Sequence, residues 1–139
     1  MSIDVIEKNR PRAYPPRPTE CTAIFWEALE KGKFQTTKCN DCDSFTFPPK
    51  PICPHCWSSS VSWKELSGKG TLYSRTTIYA APATFENETP IHAGIIDLEE
   101  GIRIATQLIE DEAIPIDSPV EIVAIRHTDG PLYGARKAK

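Results

Sequence analysis

A chain of 139 residues is long enough for one ordinary domain or two small lobes. Sixteen Lys and Arg stand against nineteen Asp and Glu, a formal net charge of −3, which disfavours a protein that lives by neutralising nucleic-acid phosphates. No apolar run spans a bilayer and the opening MSIDVIEKNR lacks the apolar centre of a secretory signal, so the chain reads as cytoplasmic, with no membrane partner and with reduced thiols.

Taken in order, residues 1–18 carry Pro11, Pro15, Pro16 and Pro18. These prolines preclude a helix, and no strand-like apolar pattern is present. The segment is predicted to be an extended arm, either unstructured or ordered along a partner surface. Residues 19–33 hold a predicted helix, with Thr19 as N-cap, Glu20 in the first turn and Gly32 as the stop. Its large apolar residues Ile24, Phe25, Trp26 and Leu29 cover more than one side. They either pack on the neighbouring lobe or offer a partner interface, which makes Phe25 and Trp26 candidate contact residues. Cys21 reads as a spare thiol, since no basic neighbour would activate it.

Residues 34–64 contain Cys39-x-x-Cys42 and Cys53-x-x-Cys56, with ten residues between the pairs. Each Cys-x-x-Cys turn aims two sulfurs at one point, and two such turns complete the tetrahedral cage of a closed structural Zn²⁺ site. Such a site has no open position and holds structure without doing chemistry. The loop is shorter than the roughly 15–20 residues common in four-cysteine sites. Its Pro48, Pro49 and Pro51 favour an extended crossing between the knuckles. Two disulfides or a thioredoxin-type redox pair are the alternatives, but neither the secreted nor the βαβ context is present. Iron in the same sulfur geometry stays open. Phe34, Phe45, Phe47 and Trp63 are available to pack around the cage, and the metal supplies much of the stability of so small a lobe. His55, between Cys53 and Cys56, reads as a solvated knuckle residue rather than a ligand.

From residue 65 to 139 the pattern changes to period two with turn signals. Strands are predicted at residues 68–79, 91–98, 102–109 and 120–126, with a short fifth near 132–136. A tight hairpin falls at Glu99-Glu100-Gly101, and a connection over 110–119 includes the solvated pair Asp111 and Glu112. Gly68-Lys69-Gly70 lacks the rest of a phosphate loop and reads as a turn or bulge. Five strands with a break before the fourth match an OB barrel, so the fold class is mainly β: an N-terminal helix, a rubredoxin-like zinc ribbon and a five-stranded OB-fold barrel. The loop over residues 80–90 offers Phe85, Glu86 and Asn87 as a contact element. His92 and His127 are isolated, and no Ser-His-Asp order, nucleophile elbow or His-Glu-x-x-His occurs. The chain therefore reads as a module that acts on something else.

Phe25-Trp26 on a helix, then Gly32, the Cys39/Cys42 knuckle, Pro48-Pro49, the Cys53-Pro54-x-Cys56 knuckle, Trp63, Gly68-x-Gly70 and a barrel with Gly101 in its hairpin together resemble the DUF35 family. One departure is Asp43, where the family often places Gly after the second cysteine. The resemblance implies a non-catalytic accessory subunit that assembles with a thiolase-like enzyme subunit in a hetero-oligomer. The catalytic residues would lie on the partner, a thiolase acting on an aromatic succinyl-CoA being one candidate. It also implies a CoA thioester as ligand of the complex, at or near an interface that includes Phe25, Trp26, Phe85, Glu86 and Asn87. Two other readings compete. One is a single-strand nucleic-acid binder stacking bases on Tyr73 and Tyr79. The other is a free-standing acyl-CoA-binding protein with Lys69, Arg75 and Arg103 on phosphates.

Overall fold

A computed structural model describes residues 2–109 and 113–139; Asp111 and Glu112 lie outside the described residues. In chain order the elements are β1 (Val5–Glu7), α1 (Ala23–Glu30), β2 (Gln35–Cys39), β3 (Phe45–Thr46), β4 (Val61–Glu65), β5 (Lys69–Ile78), a 3₁₀ turn (Ala83–Glu88), β6 (Ile91–Leu98), β7 (Arg103–Leu108), β8 (Pro119–His127) and β9 (Gly130–Lys137).

The last five strands close on themselves in the order β5-β6-β7-β9-β8, and β8 returns to β5. All of these pairings are antiparallel except β7 with β9, which run parallel over Gln107↔Gly134 and Leu108↔Ala135. This is the closed five-stranded OB barrel. Its interior is filled by Leu72, Ile96, Ile104, Val120 and Ile122 from successive strands. A shift of register between Leu72 and Ser74 bulges β5 and lets one long strand turn the barrel corner.

At Gly70, opposite Leu98 and Val120, β5 presses so close to β6 that an added Cβ would stand 2.6 Å from the Asp97 carbonyl oxygen. Backbone cannot yield there as a flexible side chain would. Gly70→Ala is expected to lower stability by about 2 kcal/mol or more, read as a lower urea midpoint at unchanged slope. A variant within about 0.5 kcal/mol of wild type would show that this approach is not tight.

The N-terminal arm departs from the expectation of a strandless segment. Val5–Glu7 pairs in parallel with Ala124–Arg126 of β8. The reason lies in β5, which covers β8 only at Pro119, Val120 and Glu121. Further along, the backbone groups of β8 on that side need partners, and the arm supplies them. Ala124 N donates to Asp4 O at 2.9 Å, and beyond β1 Lys8 N donates to Arg126 O at 2.9 Å and Thr128 N to Arg10 O at 3.1 Å. Arg12 finishes the attachment. Its backbone N–H and its Nε donate to Asp129 Oδ1 at 2.9 and 3.3 Å, and Nη2 donates to the Asp129 carbonyl at 2.9 Å. The Arg12 backbone N–H, aided by its guanidinium charge, holds the Asp129 carboxyl below its ordinary 3.8. This clamp is therefore complete above that value and is lost as pH falls through the lower folded value.

The helix starts at Ala23, one turn later than Thr19. Thr19 is still used: its Oγ1 accepts from Thr22 N at 3.1 Å, and its own N–H donates to Thr22 Oγ1 at 2.8 Å. It thereby caps the turn that precedes the helix. Gly32, at φ +78, ends it, with N–H donating to the Leu29 carbonyl at 3.0 Å.

In the ribbon, β2 lies between β3 and β4 in an antiparallel sheet. Glu65, assigned to the barrel from sequence, pairs with Gln35 and so completes this sheet. Buried Thr36 and Thr37 are satisfied by crossing bonds: Thr36 Oγ1 donates to the Thr46 carbonyl, and Thr37 Oγ1 accepts from Lys50 N at 3.1 Å. Helix, ribbon and barrel share one apolar core. Phe25, Phe34 and Phe47 meet Tyr133 of β9 at ring-centroid distances of 5.9, 5.9 and 5.7 Å, and Leu29 and Leu66 are fully enclosed beside them.

Candidate metal centre and contact groove

Cys39 ends β2 and Cys42 follows in the first knuckle, while Cys53 and Cys56 form the second after the proline-rich crossing. The four Sγ atoms lie within 4.8 Å of one another, with Cys39 to Cys56 at 3.5 Å and Cys42 to Cys53 at 3.6 Å. A tetrahedron with Zn–S bonds of about 2.3 Å has sulfur–sulfur edges of roughly 3.8 Å, so the cage fits the ion. The two knuckles repeat one local fold. Asp43 N donates to Cys39 O at 3.1 Å and Cys39 N to Ser44 O at 2.9 Å, and in the second knuckle Trp57 N donates to Cys53 O and Cys53 N to Ser58 O, both at 2.9 Å. Backbone N–H groups of Asp41, Cys42 and His55 donate to sulfur at 3.4 Å, which favours thiolate. Through them His55 contributes backbone rather than a ligand.

Sulfur crowding divides the thiols. Hydrogen bonds from Ser44 lower Cys42 to about 6. The Ser58 backbone N–H favours the Cys56 thiolate, but the neighbouring Cys39 and Cys42 sulfurs outweigh it and push Cys56 up to about 12. Four thiolates therefore need a cation between them; Cys39, Cys42, Cys53 and Cys56 would hold a Zn²⁺ there, which would supply that charge and tie them into one structural unit.

The residue after each knuckle stands in the left-handed region: Asp43 at φ 60 and Trp57 at φ 64. Asp tolerates that conformation; a bulky side chain does not. Trp57 is also 82% exposed, so little burial offsets the strain. Trp57→Gly is expected to stabilise the chain by roughly 1 kcal/mol while Trp57→Ala, which keeps a Cβ, gives no such gain. Thermal melts of the three proteins check this, and equal melting temperatures for the Gly and Ala variants would refute it.

The five candidate contact residues separate. Phe25 is corrected: at 3% exposure it is consumed by the aromatic core, edge-on to Trp26 at 4.9 Å, and offers no surface. Trp26 and Phe85 come together in one groove of about 350 Å³, with Tyr14 from the arm and Ile91, Leu132 and Tyr133 from the barrel. Asn87 lines an adjoining cavity of about 280 Å³ with Lys8, Arg10 and His92. Glu86 is exposed on the 3₁₀ turn. Tyr14, Lys8 and Arg10 had no signal in the sequence, because only the pairing of the arm with β8 carries them to the groove. His92 binds Thr77 Oγ1 through Nδ1 at 3.2 Å. His127 is 5% exposed at the end of β8, and burial lowers its pKa. On the outer barrel face, the Arg103 guanidinium covers the Tyr73 ring at 3.7 Å and is itself paired with Asp97 at 2.6 Å. Both side chains stay about half exposed, with the guanidinium occupying one face of the Tyr73 ring.

Two family models match in tandem: the ChsH2 rubredoxin-like zinc ribbon domain over residues 26–62 and the ChsH2 C-terminal OB-fold domain over residues 63–124. A DUF35 domain-containing scaffold protein of Pyrococcus furiosus is 32% identical over 85% of this chain and 91% of its own length. The chain belongs to the DUF35 family. Among other relatives of this DUF35 chain, a scaffold protein of Methanocaldococcus jannaschii is 38% identical over 62% of the chain, and the match spans only 63% of that protein's length. The benzoylsuccinyl-CoA thiolase subunit BbsA of Thauera aromatica is 37% identical over 74% of each chain. A solved structure described as an Ltp2-ChsH2(DUF35) aldolase superposes with a TM-score of 0.77 at 28% identity, covering 90% of this DUF35 chain and all of that one. Among the described residues no helix is long and apolar enough to cross a membrane.

Proposed function

We propose that this chain is a non-catalytic, zinc-bearing accessory subunit that assembles with a thiolase-type enzyme and helps shape or cover its acyl-CoA site. The observation that carries the reading is the joining of metal knuckles, helix and barrel through one aromatic core centred on Phe34 and Tyr133. That core makes the chain a rigid platform, and a four-thiolate cage leaves its metal no position for substrate. The names of the relatives, scaffold proteins and a thiolase subunit, support the same direction. On this reading the catalytic groups lie on the partner, and Trp26, Phe85, Glu86 and Asn87 are the contacts toward the partner or its CoA thioester. The Arg103 guanidinium stacked on one face of Tyr73 and the net charge of −3 weigh against the nucleic-acid reading, and the pairing of Arg103 with Asp97 against the free-standing acyl-CoA reading.

The test is to purify the chain alone and together with a thiolase-type enzyme encoded beside it. The pair is expected to co-elute and to turn over acyl-CoA, and the chain alone to turn over none. Turnover by the isolated chain, or two proteins that elute separately, would refute the proposal.

A further inference from the structure

We infer that the aromatic groove and the adjoining basic cavity form one site for the nucleotide end of a coenzyme A thioester, the adenine ring in the groove and the phosphates at Lys8, Arg10 and His92. This rests on the accessory-subunit reading and names the part of the ligand that the chain itself holds.

The two concavities are continuous, because Glu88, Ile91 and Gln107 line both. They differ in chemistry. One wall of the groove is aromatic: Trp26 and Tyr133 stand on the shared core, Phe85 sits on the 3₁₀ turn, and Tyr14 projects from the arm with 71% of its surface exposed. An exposed tyrosine beside a tryptophan is a stacking surface for a planar ring. The adjoining cavity carries the cations. Arg10 is 3.3 Å from Glu88 and so partly neutralised, whereas Lys8 has no acidic partner among the described residues. His92 spends Nδ1 on Thr77, leaving its other ring nitrogen for the cavity. A ring-binding surface that ends in a cationic pocket matches a nucleoside bearing phosphate at one end. It does not match a running nucleic-acid strand, since Glu88 lines both concavities and the chain carries a net charge of −3.

The site is assembled from four separate stretches: the arm, α1, the loop before β6, and the β6–β7 and β9 wall. The clamp of Arg12 on Asp129 therefore has a role beyond stability, because it places Tyr14, two residues later, over the groove.

The test is calorimetry of the intact, zinc-loaded chain with adenosine 3′,5′-bisphosphate, with pantetheine and a short oligothymidylate as comparators. The bisphosphate is expected to bind and pantetheine not to. Lys8→Glu and Tyr14→Ser are each expected to weaken the bisphosphate by about ten-fold, equivalent to roughly 1.4 kcal/mol, with zinc content and melting temperature unchanged. No binding of the bisphosphate, unchanged affinity in both variants, or tighter binding of the oligothymidylate would overturn the inference. Assembly with the thiolase-type enzyme is measured in the same variants. A Lys8→Glu complex that forms and works with unaltered CoA dependence overturns this site and leaves the accessory role standing. Failure of the wild-type chain to assemble overturns the accessory role instead, and the bisphosphate titration still reports on the site.

Discussion

Cys53→Ser is expected to strip the chain of its metal and to lower its melting temperature by about 15 °C. Cys53 is 1% exposed, accepts a backbone N–H from His55 at 3.4 Å and faces Cys42 at 3.6 Å. A serine oxygen has a shorter bond to carbon and a far higher pKa, so it neither reaches the common centre nor surrenders its proton. Loss of a structural metal belongs to the few single changes that cost about 4 kcal/mol or more, and for a chain of this length each kcal/mol moves the midpoint by roughly 4 °C. Metal content by atomic emission and a thermal melt check both halves. A variant that keeps one equivalent of metal, or melts within a few degrees of wild type, would show that the cage is not what stabilises the ribbon. Trp57→Gly, one residue beyond the same knuckle, is expected to move stability in the opposite direction, which separates ligand loss from mere disturbance of the turn.

Phe34→Ala should be nearly as costly, by about 3–5 kcal/mol. Phe34 is 1% exposed, and its ring lies 5.6 Å from Phe47, 5.9 Å from Tyr133 and 6.1 Å from Phe25. It is the point at which ribbon, helix and barrel touch the same atoms. Alanine would leave a cavity walled by rings that stand on different elements and cannot collapse together. Phe34→Leu, which retains most of the volume, should cost about 1.5 kcal/mol or less. Urea titration with zinc in excess measures both; a loss below about 1 kcal/mol for the alanine variant would mean that the lobes do not depend on this contact.

The parts of the fold legible in the sequence were those written in short-range pattern. The cysteine spacing announced the cage because a Cys-x-x-Cys turn needs no tertiary help to aim its sulfurs. Period-two runs placed the five barrel strands to within a few residues, with the fourth observed at Pro119–His127 and the fifth at Gly130–Lys137. Most of what failed depended on contacts distant in sequence, the local Thr19 cap being the exception. Val5–Glu7 is too short to show alternation and is a strand only because β8 leaves backbone groups for it to pair. Thr19 carries a cap sequence, yet its bonds close a turn before the helix proper. Phe25 and Trp26 are adjacent and looked equivalent, but the 100° rotation between them buries one against Tyr133 and leaves the other at a groove. The basic cavity was invisible for the same reason: Lys8 and His92 are 84 positions apart in the chain.

The seam between the two matched family regions, at residues 62 and 63, falls inside β4, whose Ser62 and Trp63 pair with consecutive residues of β2. Ribbon and barrel are therefore not interchangeable cassettes. A fragment begun at Trp63 would carry the bare side of Tyr133 into solvent, and one ended at Ser62 would do the same with Phe34. Recombination between relatives at that seam would preserve folding only where both parents contribute matching rings, so lineages that trade one half for a divergent homologue must remodel the shared cluster at the same time.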